Sequence, residues 1–127
     1  MQDINVLLYV ESRYKVNRRR IRDAVVRTIA SQQIASPVEV SIAVVGDRKM
    51  ATLNKKYRNK EGTTNVLSFP IGEGDTMVVP ADIMRLGDVV ISYPMVIQEA
   101  AKEEMLVDDR VDQLVEHGVL HLLGIHH

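Results

Sequence analysis

The last twenty-one residues constrain this chain more than any other stretch. The apolar positions Val107, Val111, Leu114, Val115, Gly118 and Leu122 recur at the helical period, and such a stripe needs a sheet or a second helix to cover it. Asp108 and Asp109 put carboxylates where a helix N-terminus favours them, and Gly124 supplies the residue type that most readily ends a helix, so the pattern predicts a helix over 108–123. At about 100° per residue, His117 and His121 fall one turn apart at one edge of the stripe, between core and solvent. All four histidines of the chain lie from His117 to His127. Beyond Gly124 the chain can double back and bring His127 to the other two. Three neutral imidazoles meeting at one point would hold one Zn²⁺ ion and leave a fourth position open, the arrangement of a catalytic zinc site.

Upstream, Ile4–Val10 is short, apolar and rich in strand formers. Asn17 can cap a helix whose inward positions are Ile21, Ala24, Val25, Thr28 and Ile29. Arg18, Arg19, Arg20 and Arg22 crowd the first turns of that helix, where the backbone dipole is already positive; either water screens them or an anion answers them. Pro37 leads into a second strand, Val38–Val45, and Asp47 is placed to cap a helix with Met50, Leu53 and Tyr57 inside and Lys49, Lys55, Lys56 and Arg58 outside. Thr64–Phe69 reads as a third strand closed by Pro70, and 71–85 as a long loop. Leu86–Ser92 is the fourth strand, followed by a helix from Pro94 to about Leu106 with Met95, Ile97, Ala100, Ala101 and Met105 among its apolar positions. The order β-α-β-α-β-β-α-α implies one α+β domain over residues 1–127, with a small mixed four-stranded sheet, helices packed against it and the histidine-bearing helix at the C-terminus.

With no cysteine in the 127 residues, any zinc must be held by nitrogen and oxygen. No apolar run approaches the ~18 residues of a membrane span, and no signal-peptide pattern opens the chain, so a cytoplasmic protein that meets no membrane is expected. The net charge of -1 hides an asymmetry: residues 1–60 carry 13 Lys and Arg against 5 Asp and Glu, and residues 61–127 carry 3 against 12. Either the halves neutralise each other in the fold or the basic half meets a polyanion.

The layout H-x-x-x-H-x-x-G-x-x-H, from His117 through His121 and Gly124 to His127, is similar to the zinc-binding pattern of metzincin proteases with one change. Their first histidine is followed by glutamate, the general base of peptide hydrolysis, and here Gly118 occupies that position. A peptide bond has a poor leaving group and needs that proton shuttle. Phosphodiester cleavage instead needs positive charge around an anionic centre, which metal and arginine supply.

Three blocks together resemble the YbeY-type endoribonucleases, zinc-dependent proteins of ribosomal RNA maturation and ribosome quality control. They are Leu53–Arg58 leading to Thr64–Pro70, then Leu86–Ser92, then His117–His127. The resemblance implies an α+β fold, zinc held by His117, His121 and His127, and a functional arginine at Arg58. It also implies single-stranded ribosomal RNA as substrate and the small ribosomal subunit as partner. Where the family has Tyr-Asp-His, this chain has Ile125-His126-His127. The nucleophile, water or the RNA 2′-OH, stays open. Aromatic residues make up only 4%, so RNA contacts should fall mainly on phosphate and sugar. Two other functions compete with this one: a metallopeptidase, which Gly118 opposes, and a non-enzymatic ribosome-associated factor with structural zinc.

Overall fold

The computed structural model describes residues 4–34, 37–70 and 83–125. In chain order they form β1 (Ile4–Val10), α1 (Arg18–Ser31), β2 (Val38–Val45), α2 (Asp47–Arg58), β3 (Val66–Pro70), β4 (Met84–Ser92), α3 (Tyr93–Lys102) and α4 (Val107–Leu122). The strands make one mixed sheet in the order β1-β2-β4-β3, with β1, β2 and β4 parallel and β3 antiparallel to β4. The fold is the expected α+β arrangement.

Alternation along the strands sends side chains to two cores. Val38, Val40, Ile42, Val44, Val89 and Ile91 pack with α1, α3 and α4 on one face; Val45, Leu67, Phe69 and Val90 pack with Met50 of α2 on the other. Helix α1 buries all five residues that its periodicity singles out. Asn17 caps it, its Oδ1 accepting from the Arg20 amide at 3.1 Å. Asn17→Ala should therefore lower stability by about 1 kcal/mol in urea denaturation, and an unchanged midpoint would show that the cap contributes nothing.

Several boundaries differ from the sequence expectation. Strand β3 starts two residues later and includes Pro70, which pairs with Gly87; as an edge strand it tolerates the missing donor. Strand β4 starts at Met84 because the bulge at Leu86 extends it: Glu39 faces Arg85 while Val40 faces Gly87. Gly46, not Asp47, is the N-cap of α2. The Asp47 carboxylate instead accepts from the buried Ser92 hydroxyl at 2.7 Å and from Thr63 at 3.1 Å, tying α2 to the end of β4. Helix α3 stops at Lys102, with Glu104 left-handed at φ 54° and the Met105 amide bonded to the Ala100 carbonyl at 2.9 Å. Its buried residues are Val96 and Ala100, and Ile97 is exposed.

The charge asymmetry is partly internal. Arg20 reaches Asp112 at 2.6 Å and Asp109 at 2.7 Å, so carboxylates of α4 answer one of the four arginines crowding α1. Hydrogen bonds to Asp109 and then Asp112 hold its guanidinium above the usual arginine range. Arg18, Arg19 and Arg22 stay exposed.

Candidate metal and phosphate site

Helix α4 lies with its inner face on the sheet. At Gly118 the helix presses closely on the sheet: a Cβ there would sit 2.5 Å from Cγ1 of Val89, closer than real side chains approach. This contact fixes the rotation of the helix about its axis. With Gly118 and Val119 against the sheet, His117 stands exposed and His121 half-buried on the adjoining edge, as the stripe implies. Their ring centroids are 4.4 Å apart at a tilt of 48°.

The helix ends in a Schellman turn. Gly124, at φ +83°, donates to the His121 carbonyl at 3.0 Å, and Ile125 donates to the Leu120 carbonyl at 2.9 Å. The chain reverses one turn after His121. His126 and His127 lie outside the described residues, and among the described residues no three His, Asp or Glu side chains converge on one point. The donor chemistry of the first two histidines suits zinc: imidazoles at i, i+4 on an accessible helix edge can direct one nitrogen each at a single ion.

Arg58 approaches the β3 edge of the sheet from the opposite layer. Its guanidinium lies 4.9 Å from the Phe69 ring centre, donates from Nη2 to the Ser68 carbonyl at 2.7 Å and from Nη1 to the Tyr57 carbonyl at 3.1 Å. The Tyr57 contact is the helix-end interaction open to any arginine there. The Ser68 and Phe69 contacts are specific, and they hold the guanidinium against the β3 edge. Ser68 in turn donates its hydroxyl to the Gly118 carbonyl at 3.2 Å. One residue of β3 thus links Arg58, through its carbonyl, to the helix carrying His117 and His121, through its hydroxyl.

Sequence patterns do not single out Ser68, because its role depends on partners in two other elements, α2 and α4. They also pass over Gln113 and Glu116. These line a hollow of about 230 Å³ with His117 and Leu120, at the spacing i, i+3, i+4, i+7 on the outer face of α4. The carboxylate beside His117 therefore precedes it in sequence, where a metzincin base would follow it.

The profile of the endoribonuclease YbeY family matches residues 9–127. A protein of Roseiflexus castenholzii named endoribonuclease YbeY is 38% identical over 113 residues, which span 88% of this chain and 71% of that protein. One of Anaeromyxobacter sp. with the same name is 39% identical over 109 residues, 86% of this chain, and this chain spans about half, 54%, of its length. Among solved structures, the solution structure of TM1509 from Thermotoga maritima superposes with a TM-score of 0.57 over 98% of this chain and 74% of that one, at 21% identity, a likeness of fold.

Proposed function

Because this chain belongs to the endoribonuclease YbeY family, we propose that it is a zinc-dependent endoribonuclease that cuts single-stranded ribosomal RNA during maturation and quality control of the small ribosomal subunit, in the cytoplasm. The observation that carries the reading is the link at the β3 edge from the Arg58 guanidinium through Ser68 to Gly118 of the helix that bears the histidine pair.

In this reading His117 and His121, with His127, hold the metal, and Arg58 binds the scissile phosphate. A bound zinc ion supplies Lewis acidity and positive charge beside that phosphate. Phe69 and the Ser68 carbonyl hold the guanidinium plane in place before RNA arrives, so little is lost in orienting it. A phosphate oxygen would replace the Tyr57 carbonyl, whose contact is longer than that with Ser68, and the planar fork suits bidentate phosphate recognition where lysine would not. Gly118, pressed on Val89, leaves no side chain at the position of a peptidase base.

The test is cleavage of a single-stranded ribosomal RNA fragment by wild type, Arg58→Glu and His117→Ala, with metal content measured on each. Wild type should cleave and carry zinc, and His117→Ala should lose both. Arg58→Glu should keep the metal and lose about a hundredfold in rate, the scale of removing one charge-stabilising donor. A 2′,3′-cyclic phosphate on the product identifies the 2′-OH as nucleophile, and a 5′-phosphate identifies water. Peptide turnover abolished by His121→Ala, with RNA left intact, would overturn the proposal in favour of a peptidase. Unfolding on metal removal, with no cleavage by the zinc-loaded protein, would mark a ribosome-associated factor with structural zinc.

A further inference from the structure

The open face of the sheet beside α2 carries two features that the histidine and arginine site does not use. The first is a line of cations. Lys49 and Lys56 are exposed, two turns apart on the edge of α2 that also carries Leu53, and Lys60 follows just past the left-handed Asn59. Arg48 and Lys55 flank them, and Lys55 pairs with Glu61 at 2.8 Å. Among the described residues no carboxylate pairs with Lys49, Lys56 or Lys60. From Lys49 the helix runs nine residues to Arg58, about 14 Å at the α-helical rise.

The second feature is a hollow of about 400 Å³ between that edge of α2 and the sheet. Ala43, Val45 and Leu53 make it apolar, Lys49 forms part of its wall, and Tyr9 of strand β1 stands beside it at 60% exposure. Glu11 also lines it, but its carboxylate is already engaged, accepting from the Gly46 amide at 2.8 Å and from Arg13 at 3.4 Å. That fixed negative charge disfavours a phosphate in the hollow and admits an uncharged planar group. The hollow and the cation line share Lys49, so phosphates outside and a base inside can belong to one strand.

We propose that this face is a binding track for single-stranded RNA: phosphates follow Lys49, Lys56 and Lys60 toward Arg58, and one base enters the hollow against Tyr9. The assignment rests on the endoribonuclease reading and places substrate contacts beyond the cleavage centre. An acidic protein segment is the other polyanion that could use the lysines. RNA fits better because the line ends at an arginine already suited to phosphate, and because an aromatic platform beside a line of cations matches a stacked strand.

The test is fluorescence anisotropy of a labelled twelve-nucleotide single-stranded RNA with the full chain, together with steady-state cleavage of the same RNA. Lys49→Glu and Lys56→Glu should each weaken binding about five- to tenfold at low salt and reduce the salt slope by about one. Tyr9→Ala should weaken binding by a similar factor and Tyr9→Phe should restore it, since stacking needs the ring and not the hydroxyl. In cleavage the loss should fall on KM. Arg27→Glu, an equal charge reversal at an exposed position of α1 on the opposite layer, serves as the control. The altered side chains are exposed, and matching thermal melts confirm that the variants fold. Unchanged RNA affinity in the Lys49 and Tyr9 variants overturns the track, as does loss of binding to a polyglutamate peptide while RNA binding persists. If RNA binds through Lys49 and Tyr9 yet stays uncut, the nuclease reading fails and the track stands. If RNA is cut with KM unaltered in these variants, the track fails and the nuclease reading stands.

Discussion

Gly118→Glu should unfold much of the protein and should not create a peptidase. In sequence the change restores the metzincin motif, with a carboxylate after the first histidine. In the fold position 118 faces the sheet: its Cβ alone would lie 2.5 Å from one methyl of Val89 and 3.0 Å from the other, and Val89 is fully buried. Overpacking there costs about 1–3 kcal/mol, and burying an unpaired carboxylate adds several more. A loss of about 4 kcal/mol or more is a large part of the ~5–15 kcal/mol that holds a domain folded. Gly118→Ala separates the two effects, because it keeps the clash, omits the charge and gains about 1 kcal/mol in helix propensity. Adding Val89→Ala to Gly118→Ala should return part of the lost stability, the coupling expected of residues in contact. Urea denaturation checks the series. Wild-type stability for Gly118→Glu together with peptide hydrolysis would refute the account.

The second large effect is expected at Gly87. This residue sits at φ +136°, a conformation in which L side chains are strained, and a Cβ there would overlap the Phe69 carbonyl oxygen. The obstacle is backbone of the paired strand, so no side-chain rotation relieves it. Gly87→Ala should cost about 3–5 kcal/mol, combining the strain with damage to the β3–β4 ladder. The damage should extend to function. Phe69 and Ser68 hold the Arg58 guanidinium against the β3 edge, so protein that remains folded should cleave RNA more slowly than wild type while its zinc content matches that of wild type. Thermal melting with zinc analysis and single-turnover cleavage of the folded fraction tests this. A variant as stable and active as wild type would show that β3 is not held in register at Gly87.

What could be read from the sequence and what could not divides on physical grounds. In α1, residues 21, 24, 25, 28 and 29 are buried as the period demands, because local pattern and tertiary burial agree. In α3 they disagree. The apolar period runs to Met105, but the chain must turn at Glu104 to start α4 at Val107, and the helix ends early. Asp47 has the chemistry of a cap, yet Ser92 and Thr63 compete for its carboxylate, and only the folded chain brings them near. At the site, the i, i+4 histidines were legible because a helix converts that spacing directly into a shared edge. The joining of Arg58 to α4 through Ser68 was not, since it depends on a strand edge lying between two layers. Gly118 was legible as a member of the buried stripe of α4 and as a missing carboxylate. Its contact with Val89 leaves no trace in sequence, because a residue without a side chain does not announce what it lies against.

The strand order has a consequence for how the two halves of the site hold together. β2 and β4 each have a neighbour on both sides, whereas β3 hangs from β4 alone and spans five residues. Detaching it breaks one ladder and leaves the parallel core intact. The histidine half rides on α4, which is seated by Val111, Leu114, Val115, Val119 and Leu122 in the larger core. The arginine half rests on the carbonyl of a marginal strand. Local opening of this sheet is therefore expected at β3, the shorter of its two edge strands, and the contacts that hold the Arg58 guanidinium can loosen and re-form while the histidine helix stays in place.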